Sequence, residues 1–98
     1  MPNPAVELVV TDDRLVVRGE CDMLSAPEIE TWLASFAGEP VRIDLSGVTF
    51  MDSSGLKAFL NARRCNSKLR VVEPSSTVMR LLKMTGTHDY LVDGTGDL

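Results

Sequence analysis

Val41-Arg42-Ile43-Asp44-Leu45-Ser46-Gly47-Val48-Thr49-Phe50-Met51-Asp52-Ser53-Ser54-Gly55-Leu56 changes periodicity partway along. Val41, Ile43 and Leu45 alternate with Arg42 and Asp44, the two-residue period of a strand with one buried face. Ser46-Gly47 reads as a turn, after which Val48 and Phe50 continue the apolar supply. From Ser53 to about Cys65 the period becomes helical. Leu56, Phe59 and Leu60, with Ala62 beside them, face inward, and Lys57, Asn61 and Arg64 fall together on the opposite side. A strand running directly into a helix is the unit from which α/β folds are built.

The same reading extends in both directions. Val6, Leu8 and Val10, then Leu15 to Val17, are short β-type runs, and Thr11-Asp12-Asp13 between them favours a tight turn, giving a β-hairpin. Ser25-Ala26-Pro27-Glu28 combines a Ser N-cap, an early Pro and a Glu three residues on, which starts a helix. Ile29, Trp32, Leu33 and Phe36 form its apolar stripe, and Gly38 with Pro40 ends it. Downstream, Leu69 to Glu73 is a strand closed by Pro74. Ser75 or Ser76 caps a third helix with Val78, Leu81 and Leu82 on one face, Gly86 stops it, and Tyr90 to Val92 adds a short last strand. Strands joined through helices run parallel, while the opening hairpin is antiparallel. The expected fold is therefore a single α/β domain over residues 1–98, with a core of about 5–92 and a flexible tail over 93–98. It is a mixed four- to five-stranded sheet with about three helices mainly on one face.

Composition narrows the function. The chain is 44% hydrophobic and 24% charged, as in ordinary globular proteins. A formal charge of −4 offers no general attraction to nucleic acid or anionic lipid, which rely on clustered Lys and Arg. Met1-Pro2-Asn3-Pro4 lacks a positive region followed by an apolar run, and no apolar stretch approaches the roughly 18 residues that span a bilayer. A cytoplasmic protein without membrane or nucleic-acid partners is expected. Cys21 and Cys65 are too few and too far apart for a disulfide framework or the usual zinc spacing, and read as buried or partly buried free thiols; a redox switch through them is an alternative. No metal or other cofactor is expected.

Asp52-Ser53-Ser54-Gly55 lies where a strand becomes a helix, and the first backbone N–H groups of that helix have no partner within it. A phosphate on Ser53 would meet the positive end of the helix dipole without refolding the domain. Asp52 or Ser53 also reads as a plain N-cap, and Gly55 as a close-packing position. A catalytic serine fits poorly, because His88 is the only histidine and no nucleophile elbow is present. Gly19-Glu20-Cys21-Asp22 follows the second strand, and strand order brings it toward the same turn.

Together the segment Val41 to Leu56, the turn Arg18-Gly19-Glu20-Cys21-Asp22, and Ser75 to Gly86 with Val78, Arg80-Leu81-Leu82 and Met84-Thr85-Gly86 resemble the STAS domains of bacterial anti-sigma factor antagonists. The resemblance covers most of Val6 to Gly86. It implies that Ser53, the first Ser of Asp-Ser-Ser-Gly, is the phosphorylated residue, with Asp52, Ser54 and Gly55 shaping the site. It also implies partner switching. An anti-sigma factor with a histidine-kinase-like ATPase fold binds the unmodified chain and releases its sigma factor; the same kinase phosphorylates Ser53, and a PP2C-type phosphatase resets it. Asp22, Lys57 and Arg64 join the expected partner-binding set, although Lys57 and Arg64 also read as an ordinary solvated face. Lys57 departs from the small residue that many members carry there, and the sequence stops soon after Val92, short of the further C-terminal helix of many antagonists. A STAS scaffold or transporter-associated subunit without a phosphorylation cycle is the alternative function.

Overall fold

The computed structural model describes residues 6–93. Its elements run β1 (Val6–Val10), β2 (Leu15–Cys21), α1 (Ala26–Ala34), β3 (Val41–Met51), α2 (Ser53–Cys65), β4 (Leu69–Pro74) and α3 (Ser76–Thr85), followed by a π-helical turn at Asp89–Asp93. The strands form one sheet in the order β1-β2-β3-β4. β1 pairs antiparallel with β2, and β2-β3 and β3-β4 are parallel, as helical crossovers require. One apolar cluster links the sheet to all three helices through Val17, Ile43 and Val71 on the strands and Ile29, Leu33, Phe59, Val78 and Leu82 on the helices. The expected tail lies almost wholly outside the described residues.

Five local expectations are corrected. Ser46-Gly47 is not a turn: β3 runs unbroken through it and absorbs two extra residues relative to β2. Val16 pairs with Asp44 but Arg18 with Gly47, and Gly19 pairs with Val48 but Glu20 with Phe50. Each extra residue moves the inside-outside alternation by one position. The buried set therefore reads Val41, Ile43, Leu45, Val48, Met51, and Phe50 is turned to the surface instead of supplying the core. Gly47 suits the first bulge, because a Cβ there would lie 2.8 Å from Cγ of Arg18.

Ser25 does not cap α1 with its side chain; its backbone is already helical. Asp22 does that work one turn earlier, its Oδ1 accepting from the N–H groups of Leu24 and Ser25 at 3.0 Å each. The buried Ser25 hydroxyl accepts from Asp22 N–H at 2.9 Å and donates to the Glu20 carbonyl at 2.8 Å, stapling the loop to the end of β2. α1 ends at Ala34, before Gly38. Tyr90 to Val92 is no strand but part of the π-helical turn, which buries Leu91 and sets the Tyr90 ring under the Arg63 guanidinium at 4.6 Å. The helix ends read from sequence elsewhere hold: Asp52 caps α2, Ser75 caps α3, and Gly86 at φ +72° closes it.

Candidate functional site

The carboxyl ends of the two inner parallel strands meet at one end of the sheet, where Cys21 closes β2 opposite Met51 of β3. Asp52 N–H donates to the Cys21 carbonyl at 3.2 Å, so the chain leaves β3 held against the end of β2. Asp52 then caps α2, its Oδ1 accepting from Gly55 N–H at 3.0 Å. Gly55 is buried because the first turn of α2 sits directly on the Cys21 backbone. A Cβ at Gly55 would run into the Cys21 carbonyl oxygen and lie 2.7 Å from its carbon. That contact, together with the staple made by Ser25, locks the Glu20–Asp22 loop and the Asp52–Gly55 turn into one unit.

On this unit Ser53 is exposed at the first position of α2, with Ser54 and Asp52 half-buried beside it. Asp22, half-buried, spends its carboxylate on the turn before α1. Lys57 is exposed one turn beyond Ser53. Arg64 shares the helical face but lies about 16 Å farther along α2 than Ser53, at about 1.5 Å per residue, and donates to Asn61 Oδ1 at 3.2 Å. Asn61 itself is not free, since its Nδ2 donates to Glu30 of α1 at 3.0 Å. Asp22, Asp52, Ser53, Ser54 and Gly55 are thus brought together, with Lys57 adjacent and Arg64 apart.

Burial, reinforced by the nearby Asp22 and Asp52 charges, pushes the Cys21 thiol up to about 12. Such a thiol is the reverse of a reactive one, which needs a stabilised thiolate. Cys65, against the expectation of a buried or partly buried thiol, is exposed at the far end of α2, roughly 15 Å from Gly55, whereas a disulfide needs Cα atoms within about 7 Å. The redox reading therefore finds no pair to join. His88 pairs with Asp89 at 3.1 Å, beyond α3. Among the described residues, no three His, Cys, Asp or Glu side chains converge to hold a metal, and no helix is long and apolar enough to cross a membrane.

Sequence reasoning missed the apolar residues around this turn. Met23 and Leu24 project from the capped loop, and Phe50 from the bulged end of β3. The two chain neighbours Met23-Leu24, in a loop too short to bury both, were the only available signal.

The family described as Mlab, STAS domain matches residues 5–93. An anti-sigma-B factor antagonist of Staphylococcus epidermidis is 34% identical, covering 91% of each chain. That of Bacillus subtilis is 31% identical over 82% of this chain and 79% of its own. Among solved structures, an anti-sigma factor antagonist from Mycobacterium paratuberculosis superposes with a TM-score of 0.70 at 29% identity, covering 89% of this chain and 80% of its own. The anti-sigma factor antagonist SpoIIAA in its unphosphorylated form superposes with a TM-score of 0.66 at 25% identity, covering 88% and 84%. By the family model over residues 5–93, by sequence identity and by fold, the chain belongs to the STAS-domain family.

Proposed function

We propose that this chain is an anti-sigma factor antagonist that binds an anti-sigma factor of histidine-kinase-like ATPase fold, frees a sigma factor and is switched off by phosphorylation of Ser53. The observation that carries the reading is Ser53 itself, exposed at the first position of a helix whose entry turn is clamped on the neighbouring strand. In the forward step Ser53 Oγ attacks the γ-phosphorus of ATP held by the partner, ADP leaves and the hydroxyl proton is lost. In the reset, a PP2C-type phosphatase adds water, returning the serine and releasing phosphate. ATP and its metal belong to the partners, so the chain acts as a binding module of the cytoplasm. Asp22, Asp52, Ser54, Gly55 and Lys57 shape or border the contact surface, with Arg64 at its far margin.

A dianion in the middle of a contact must be desolvated, and a coupling of about 3 kcal/mol weakens binding over 100-fold. The test is titration of the cell's own purified anti-sigma factors with wild type, Ser53→Ala and Ser53→Asp, with ATP-dependent modification read by intact mass. Ser53→Ala is expected to bind and take no phosphate, and Ser53→Asp to bind at least 10-fold more weakly. Equal binding by all three without modification would leave the scaffold or transporter-associated reading in its place.

A further inference from the structure

Five large apolar side chains are well exposed among the described residues, and three of them share one end of the sheet: Met23 at 70%, Leu24 at 83% and Phe50 at 47% exposure. The other two, Val10 by the hairpin turn and Met84 on α3, lie elsewhere and alone. The three are held on rigid backbone. Met23 and Leu24 ride a turn tied by Asp22 Oδ1 and by the buried Ser25 hydroxyl, which bonds the Glu20 carbonyl; Glu20 in turn is the register partner of Phe50, so the turn and Phe50 lie at the same end of the sheet. The backbone that carries them is already fixed, so binding has only side-chain rotamers left to order. Glu20, Asp22 and Asp52 lie at this same end of the sheet, outnumbering Lys57 of the first turns of α2.

The geometry points to Met23, Leu24 and Phe50 as the apolar anchor for the anti-sigma factor, whose matching surface is an apolar pocket edged by Arg or Lys side chains; this rests on the function proposed above. Charge selects that occupant over a second copy of the chain. A two-fold contact through this patch sets Glu20, Asp22 and Asp52 against their own copies, which like-charge repulsion opposes, whereas a basic-edged partner complements them. The sign of the proposed switch also fits an apolar contact. A partner surface made only of cations would hold a phosphorylated Ser53 more tightly, because Arg and Lys attract the added charge. Seating Ser53 against apolar groups gives the proposed direction of such a switch, because the dianion would have to be desolvated there.

The test uses the full chain with Leu24→Ser and Met23→Ser, separately and combined with Ser53→Asp, titrated calorimetrically into the anti-sigma factor. Sedimentation of each variant alone and thermal unfolding serve as controls. Both side chains are surface-exposed, so the fold is expected to be unaffected. Each single serine variant is expected to weaken binding at least 10-fold, equivalent to about 1.4 kcal/mol, and the penalty of Ser53→Asp is expected to shrink in the Leu24→Ser background. Wild-type affinity in both variants, while Ser53→Asp still binds weakly, overturns the anchor and leaves the switch standing. Failure of wild type to bind any anti-sigma factor removes both. A wild-type dimer that Leu24→Ser dissociates assigns the patch to self-association and overturns the inference.

Discussion

Gly55 is the residue on which the site depends, because its missing side chain lets α2 begin against the Cys21 carbonyl. Gly55→Ala places a methyl 2.9 Å from Cys21 Cβ and tighter still against the carbonyl oxygen. Backbone on both sides has no spare rotamer to relieve the clash. The expected cost is about 1–3 kcal/mol, the range for overpacking a close-packed position, read from urea unfolding. An unchanged midpoint would mean that the helix start can shift. Cys21 supplies a second residue-level test. Its pKa, pushed up to about 12, keeps it a thiol at pH 8, whereas Cys65 is exposed. Iodoacetamide at pH 8 is expected to add once to the native protein, at Cys65, and twice in denaturant, as read by intact mass. Rapid native labelling of Cys21 would show that the loop opens.

At the scale of elements, what sequence made legible were the segments whose signals are local. The alternation of Val41, Ile43 and Leu45, the Asp52 and Ser75 caps and the Gly86 stop each need only a few neighbours to act, and the structure contains each of them. The adjacency of the Glu20–Asp22 loop to the Asp52 turn was also readable, because parallel pairing of β2 with β3 brings their carboxyl ends together. What stayed hidden was set by pairing and packing. The bulges that turn Phe50 outward exist only against β2. Ser25 lost its capping role to Asp22 because its hydroxyl was needed by the Glu20 carbonyl. Tyr90 to Val92 has strand-like residues but buries Leu91 by turning helically. One tie between β3 and the start of β2 can be tested by pH. Burial would raise Asp44, but hydrogen bonds from Ser46 and the Arg14 guanidinium at 3.4 Å outweigh it and hold the carboxyl below its usual 3.8. A depressed native pKa contributes stability that is present above the unfolded value and lost as pH falls through the folded one. Asp44→Asn is therefore expected to lose less stability than wild type between pH 7 and pH 3. Parallel stability curves for the two proteins would refute the assignment.

For the whole molecule the question is whether a charge at Ser53 works by loosening the domain or only by changing its surface. The site is anchored by groups other than the Ser53 side chain: the Asp52 carboxylate on Gly55 N–H, the Asp52 N–H on the Cys21 carbonyl, and the Ser25 staple. The core that supports it, with Phe59 and Ile43 fully buried, lies beneath α2 and not at its exposed tip. A negative charge in the first turn of a helix is also favourable, by about 0.3–1 kcal/mol at low salt. In a domain of this size about 1 kcal/mol moves Tm by about 4–8 °C. Ser53→Asp is thus expected to melt at the wild-type temperature or up to about 5 °C above it at low ionic strength, with the gain fading in salt. Amide shifts are expected to be confined to residues 20–25 and 50–57. A fall in Tm of several degrees, or shifts spreading through β4 and α3, would mean that the charge acts by destabilising the fold, and the surface mechanism would then be wrong.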